Sequence, residues 1–179
     1  MNFVRTKLPV FIAALAALIV AAMPLRAEEW IHTGTSVRVK TIAFVDFDVY
    51  EISHFMKQPS AKSKQAVINA DVPKKFAWKM LRDVPKDKIQ DALTGAFAMN
   101  GYNDSAKIRS FMSAFSGELK EGAKVNIVYD ADKKSTTVSV GGGGSATVAG
   151  VDFMKAVWSI WLGKIDQPKM GDQLISKLP

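Results

Sequence analysis

The stretch GTSVRVKTIAFVDFDVYEISHF, residues 34–55, decides how the rest of the chain is read. Val37, Val39, Ile42, Phe44 and Val45 form one apolar run. Phe47, Val49, Tyr50, Ile52, Phe55 and Met56 form a second. The period of two that marks a strand runs through both. Arg38 stands in the first run and Tyr50 in the second. In one straight strand the two side chains would lie ~40 Å apart, at about 3.3 Å per residue. A chain reversal near residues 44–46 brings them together instead. In a hairpin centred on residue 44, Arg38 and Tyr50 are cross-strand neighbours. Asp46 tolerates a turn, but no Gly or Pro marks one. The pattern alone therefore leaves open both a paired Arg38 and a solvated one.

Working outward, QAVINA at 65–70 predicts a short third strand. KKFAWKML at 74–81 alternates Phe76, Trp78 and Met80 with polar or small neighbours, again a strand with one buried face. The period then changes. Ile89, Ala92, Leu93, Ala96 and Phe97 recur at helical spacing, with Pro85 suited to a first turn and Gly101 to a stop. Ile108, Met112 and Phe115 mark a second helix, with Asp104 or Ser105 as its N-cap. Residues 123–140 alternate about DADKK, a hairpin turn. GGGG at 141–144 is a further turn, and SATVAG a further short strand. Phe153, Val157, Ile160 and Trp161 form the apolar stripe of a helix with Gly163 as C-cap, and residues 171–178 add a short final helix. Strands, two helices, a hairpin and closing helices predict an α+β fold: a mainly antiparallel sheet with helices packed on one face.

Arg5 and Lys7 precede an apolar block at 9–23, short of the ~20 residues that span a bilayer and matched to the core of a secretory signal. Cleavage after Ala27 is expected, so that 1–27 is a signal peptide and 28–179 one domain. Losing Arg5, Lys7 and Arg26 lowers the formal charge from +7 to +4. That excess is scattered, without the basic stripe of a nucleic-acid-binding surface. No Cys is present, which excludes disulfides, thiol chemistry and a lipid-modified N-terminal Cys. A soluble periplasmic protein with no membrane span after cleavage is expected. His32 and His54 are too few for most metal sites, no calcium-loop spacing occurs, and GxSxG is absent. GGGG lacks the Lys-Ser/Thr of a phosphate loop. No cofactor and no metal are expected. Phe153, Trp158 and Trp161 suit a helix core better than a stacking platform, and Asp46 with Asp48 suits a solvated strand edge.

The opening stretch, with its Gly, VR pair, apolar run and VY, resembles the first strands of the chalcone isomerase superfamily. Its bacterial chalcone isomerase-like proteins and plant fatty-acid-binding members are the most similar. WKMLRDVPKDKIQDAL, GAKVNIVYDADKKSTTVSVGG and VAGVDFMKAVWSIWLG resemble later family motifs in the same order, so the likeness covers nearly all of 34–163. It implies an open-faced β-sandwich in which Arg38 points into a cleft. In the plant isomerases the matching Arg stabilises an anionic substrate and its enolate, a Thr stands where this chain has Tyr50, and a further Tyr assists. Between Arg82 and Asp91 this chain has no Tyr. The pair Arg38 and Tyr50 instead matches the non-catalytic, fatty-acid-binding members. A buried carboxylate needs partners. A guanidinium offers it a planar fork and a phenol one further donor. An exported binder of a fatty acid or similar amphipathic carboxylate is expected, with Ile42, Phe47, Ile52, Phe97, Phe111 and Phe115 as candidate lining of the tail slot. Ordinary core packing would also explain each of these six. Two alternatives are an intramolecular lyase of the chalcone isomerase type and a structural or interaction protein whose cleft is filled by its own side chains.

Overall fold

The computed structural model describes residues 29–179. The expected signal peptide lies outside the described residues. In chain order the elements are β1 (Ile31–Ile42), β2 (Val45–Met56), α1 (Lys64–Asn69), β3 (Lys74–Met80), α2 (Lys86–Met99), α3 (Ser105–Met112), β4 (Lys124–Asp130), β5 (Ser135–Val140), β6 (Ser145–Ala149), α4 (Val151–Leu162) and α5 (Lys169–Leu174). The six strands form one sheet in sequence order, every neighbour antiparallel. The expected α+β architecture is the one observed.

One face of the sheet is apolar and covered. Ile52, Phe76, Trp78, Ile127, Tyr129 and Val138 on that face are all buried. The opposite face carries hydroxyl pairs between neighbouring strands, Thr35 with Ser53 (2.7 Å) and Thr137 with Thr147 (2.8 Å). The covering layer is organised around α4, which is buried on nearly every side, from Phe153 to Leu162. Only the narrow stripe of Asp152, Lys155 and Ser159 stays out of the core, and α1, α2 and α5 pack around the helix.

Residues 65–70 are a correction. They form the helix α1 rather than a strand. A run of six apolar and polar residues has no decisive period, and two contacts from outside the run decide it. Ser63 caps the start by accepting from the Ala66 N–H. At the other end the buried Lys74 Nζ donates to the carbonyls of Val67 (2.6 Å) and Ile68 (3.1 Å), a cation on the last turn of a helix. Gly163 does end α4, but at φ −92° and not in the left-handed conformation expected of a C-cap glycine. It is glycine because a Cβ there would collide with the Asn100 side chain, which bonds both Ala96 O and Lys164 O.

The deciding hairpin turns at Ala43 and Phe44, both at positive φ (47° and 69°). Near the turn Thr41 faces Asp46 and Val39 faces Asp48, then the register shifts and Arg38 faces Tyr50. Val49 is the extra residue of a bulge. β1 is an edge strand, and the end of the chain blunts it. The Gln167 side chain accepts from Val39 N (3.0 Å) and donates to Val37 O (2.8 Å), and Lys177 N donates to Thr33 O (2.8 Å). α5 lies so close to β1 that a Cβ on Gly34 would overlap the Gln173 and Leu174 backbone.

Candidate functional site

Arg38 and Tyr50 meet on the covered face because the bulge at Val49 turns them to the same side. The Tyr50 ring stacks on Trp78, with centroids 4.8 Å apart and planes within 11°. Its oxygen accepts from the Trp161 indole N–H at 3.0 Å, which leaves the phenolic proton free to donate. Burial raises the Tyr50 pKa, opposed by the Trp161 bond and the Arg38 charge, so the phenol is a neutral donor at physiological pH.

The Arg38 side chain is 18% exposed and rests against the link between α4 and α5. Its Nη2 lies 2.7 Å from Asp166 Oδ1, and its Nη1 donates to Gln167 Oε1 at 3.3 Å. Asp166 is itself 53% exposed, so its carboxylate lies at the rim rather than in the core. An open groove of about 370 Å³ runs past Arg38, Thr41, Asp46, Asp166 and Gln167. In the ring stacked on Tyr50, the Trp78 indole N–H is buried without an acceptor, one of two such side-chain groups among the described residues. Buried polar groups are almost always paired, so an orphaned donor here is notable.

The other anticipated lining residues divide into two groups. Ile52, paired with Trp78 across the strands, and Phe97, Phe111 and Phe115 are all buried in one core. They continue a row of rings that starts at Tyr50: Trp78 to Phe115 (6.2 Å), Phe115 to Phe111 (6.0 Å) and Phe111 to Phe97 (6.0 Å). Ile42 and Phe47 lie beyond the bulge, towards the hairpin turn. Ile42 is exposed, and the Arg82 guanidinium lies over the half-buried Phe47 ring at 4.6 Å. Tyr102 and Tyr129 are engaged elsewhere, donating to Asp152 (3.2 Å) and Asp71 (2.7 Å). Sequence reasoning missed Asp166 and Gln167, which lie outside any periodic run, and read Trp161 only as core. Nothing in the sequence signalled the first two.

A second buried polar cluster lies along the same strands. The Trp158 indole can only donate, and it does so to His54 Nε2 at 2.9 Å. His54 therefore carries its proton on Nδ1, which donates to Thr33 Oγ1 (2.6 Å), and Thr33 donates on to Leu174 O (2.8 Å). Burial, with Lys74 and His32 adding repulsion, pushes the His54 pKa down to about 3. Burial also lowers the Lys74 pKa to about 7, against the pull of Asp71. Among the described residues no group of His, Asp or Glu is placed to hold a metal ion, and no helix is long and apolar enough to cross a membrane.

A family model described as chalcone isomerase-like matches residues 19–172. The chain belongs to the chalcone isomerase-like family. Among matching solved structures is a fatty-acid binding protein of Arabidopsis thaliana, 14% identical, with a TM-score of 0.66 over 82% of this chain and 86% of that one. The likeness establishes a shared fold. No curated protein matches the sequence.

Proposed function

We propose that this protein binds a long-chain fatty acid or a similar amphipathic carboxylate without catalysing its conversion. The observation that carries the reading is the in-register pair of Arg38 and Tyr50, a guanidinium and a neutral phenol turned to one side of the sheet at the entrance to a row of aromatic rings. A ligand carboxylate takes the place that the Asp166 carboxylate holds on Arg38 and accepts the free Tyr50 proton as well. The fold shared with a plant fatty-acid binding protein supports the same reading. Export to the periplasm belongs to the proposal and rests on the basic and apolar character of residues 1–27. Sequencing the N-terminus of the mature protein tests it.

The binding test uses cis-parinaric acid, a fluorescent long-chain fatty acid. Arg38→Ala weakens binding at least about tenfold, the scale of a lost charge-assisted hydrogen bond. Asp166→Ala strengthens it, because the competing carboxylate is gone. Equal affinities in the wild type and both variants would defeat the proposal. One observation favours a second reading, a structural or interaction protein with a filled cleft: the ring row from Tyr50 to Phe97 is packed side chain on side chain. Failure of the folded wild-type protein to bind any long-chain acid would favour it.

A further inference from the structure

The hairpin between β1 and β2 ends in four consecutive apolar residues, Ile42, Ala43, Phe44 and Val45. They are not folded back onto the protein. Phe44 is 101% exposed, Ile42 59% and Val45 53%. Two-residue hairpin loops with positive φ at both positions strongly favour Asn-Gly, because other L-residues are strained there. Here Ala43 and Phe44 hold φ of 47° and 69°. The chain thus accepts local strain in order to display a phenylalanine to solvent, and strain of this kind gathers at functional positions.

The geometry points to this hairpin tip as a docking surface for a lipid bilayer, with Phe44 and Ile42 entering the interfacial region. The tip is convex, so it fits a deformable apolar medium that needs no shaped pocket. Two of the polar side chains behind it, Thr41 and Arg82, are engaged within the chain. Thr41 Oγ1 donates to Asp46 Oδ1 at 2.6 Å, and the Arg82 guanidinium lies over the Phe47 ring. The charges nearest the tip are mixed, with Lys40, Asp46 and Asp48 all exposed, which suits a zwitterionic headgroup layer. Thr41 and Asp46 at the base of the tip also line the groove that reaches Arg38. Docking therefore sets the mouth of that groove against the layer in which an amphipathic carboxylate resides. This last step rests on the binding function proposed above, whereas the docking itself does not.

The test is sedimentation of the protein with phosphatidylcholine vesicles, alone and doped with phosphatidylglycerol. The wild type pellets with both. Phe44→Ser lowers the partition coefficient at least about tenfold, since the transfer of one large apolar side chain is lost. A second variant, Ala43→Asn with Phe44→Gly, relieves the turn strain. It unfolds at the same or a higher temperature yet loses vesicle binding, which excludes misfolding as the cause. Both variants keep the wild-type affinity for cis-parinaric acid in solution. The proposal is overturned if the wild type stays in the supernatant, as it would if the tip served a protein partner. It is equally overturned if binding survives Phe44→Ser, or occurs only on anionic vesicles and independently of Phe44. A protein that docks through Phe44 but binds no fatty acid would keep the docking surface and reject the ligand.

Discussion

Lowering the pH from 6.5 to 4.5 destabilises this protein through His54. In the fold the imidazole is held neutral, accepting from Trp158 and donating to Thr33, with its pKa near 3 against 6.5 when exposed. Between those values the unfolded chain binds a proton that the folded chain refuses. Stability from this group is therefore whole above pH 6.5 and falls as pH descends towards about 3. The slope starts at half its full value at pH 6.5 and approaches about 1.4 kcal/mol per pH unit below it, so the two-unit step costs about 2.3 kcal/mol. That is a large part of the ~5–15 kcal/mol that holds a domain folded. The interval isolates His54 from the other perturbed groups. Asp71, Asp83, Asp130 and Asp152 have pKa values depressed below 3.8, so their contributions are lost only at lower pH. Lys74 acts between about 7 and 10.5. The assay is urea unfolding followed by tryptophan fluorescence at several pH values across the interval, on the wild type and on His54→Gln, which can still bond Trp158 without titrating. A wild-type stability that stays level, or an equal slope in His54→Gln, would refute the reasoning.

Lys74 gives the same sign in a higher window. Its folded pKa of about 7 lies below its unfolded 10.5, so stability rises with pH between about 7.5 and 9.5 at up to about 1.4 kcal/mol per unit. Lys74→Met flattens that slope in urea titrations over the same pH range. For the proposed ligand, saturated fatty acids of increasing length bind about fourfold more tightly per added methylene, from ~0.8 kcal/mol each. Isothermal titration of such a series checks this, and an affinity independent of chain length would mean that the tail stays outside the protein.

The hairpin at 36–56 was legible because its apolar alternation is strong and two polar residues interrupt it at facing positions. The expected register was right at Arg38 and Tyr50 for a reason the sequence does not display. A reversal centred on residue 44 placed them opposite one another. The actual loop is the tighter Ala43–Phe44 turn, and the bulge at Val49 restores the pairing further down. α2, α3 and α4 were legible from their period, and the Asp104 cap was confirmed by bonds from Ala106 N and Lys107 N. α1 was not, because its helix end is completed by Lys74 from the next strand. The role of His54 was equally hidden, since its fixing partner, Trp158, is 104 positions along the chain. What stayed illegible depends on contacts made only after the sheet has formed.

The Arg38–Asp166 pair has a consequence for how the site would work. A guanidinium that is mostly buried needs a counter-charge, and Asp166 supplies one from a half-exposed position. Pairs at that degree of exposure contribute only ~0–1 kcal/mol. Exchanging Asp166 for a ligand carboxylate therefore gives up little, while the incoming carboxylate gains a more enclosed bond to Arg38 and a second one from Tyr50. The exchange orients the head group, selects for negative charge and supplies about the tenfold that Arg38→Ala removes, a small part of the affinity of a long-chain acid. Affinity must then come from burying the tail, and the rings from Tyr50 to Phe97 are already packed against one another. The link between α4 and α5 is the element best placed to yield, because Asp166 and Gln167 hold it to β1 largely through side chains. Releasing Asp166 frees Arg38 and loosens that link in a single step. Head-group capture and access to the apolar interior would then be coupled through the same few hydrogen bonds.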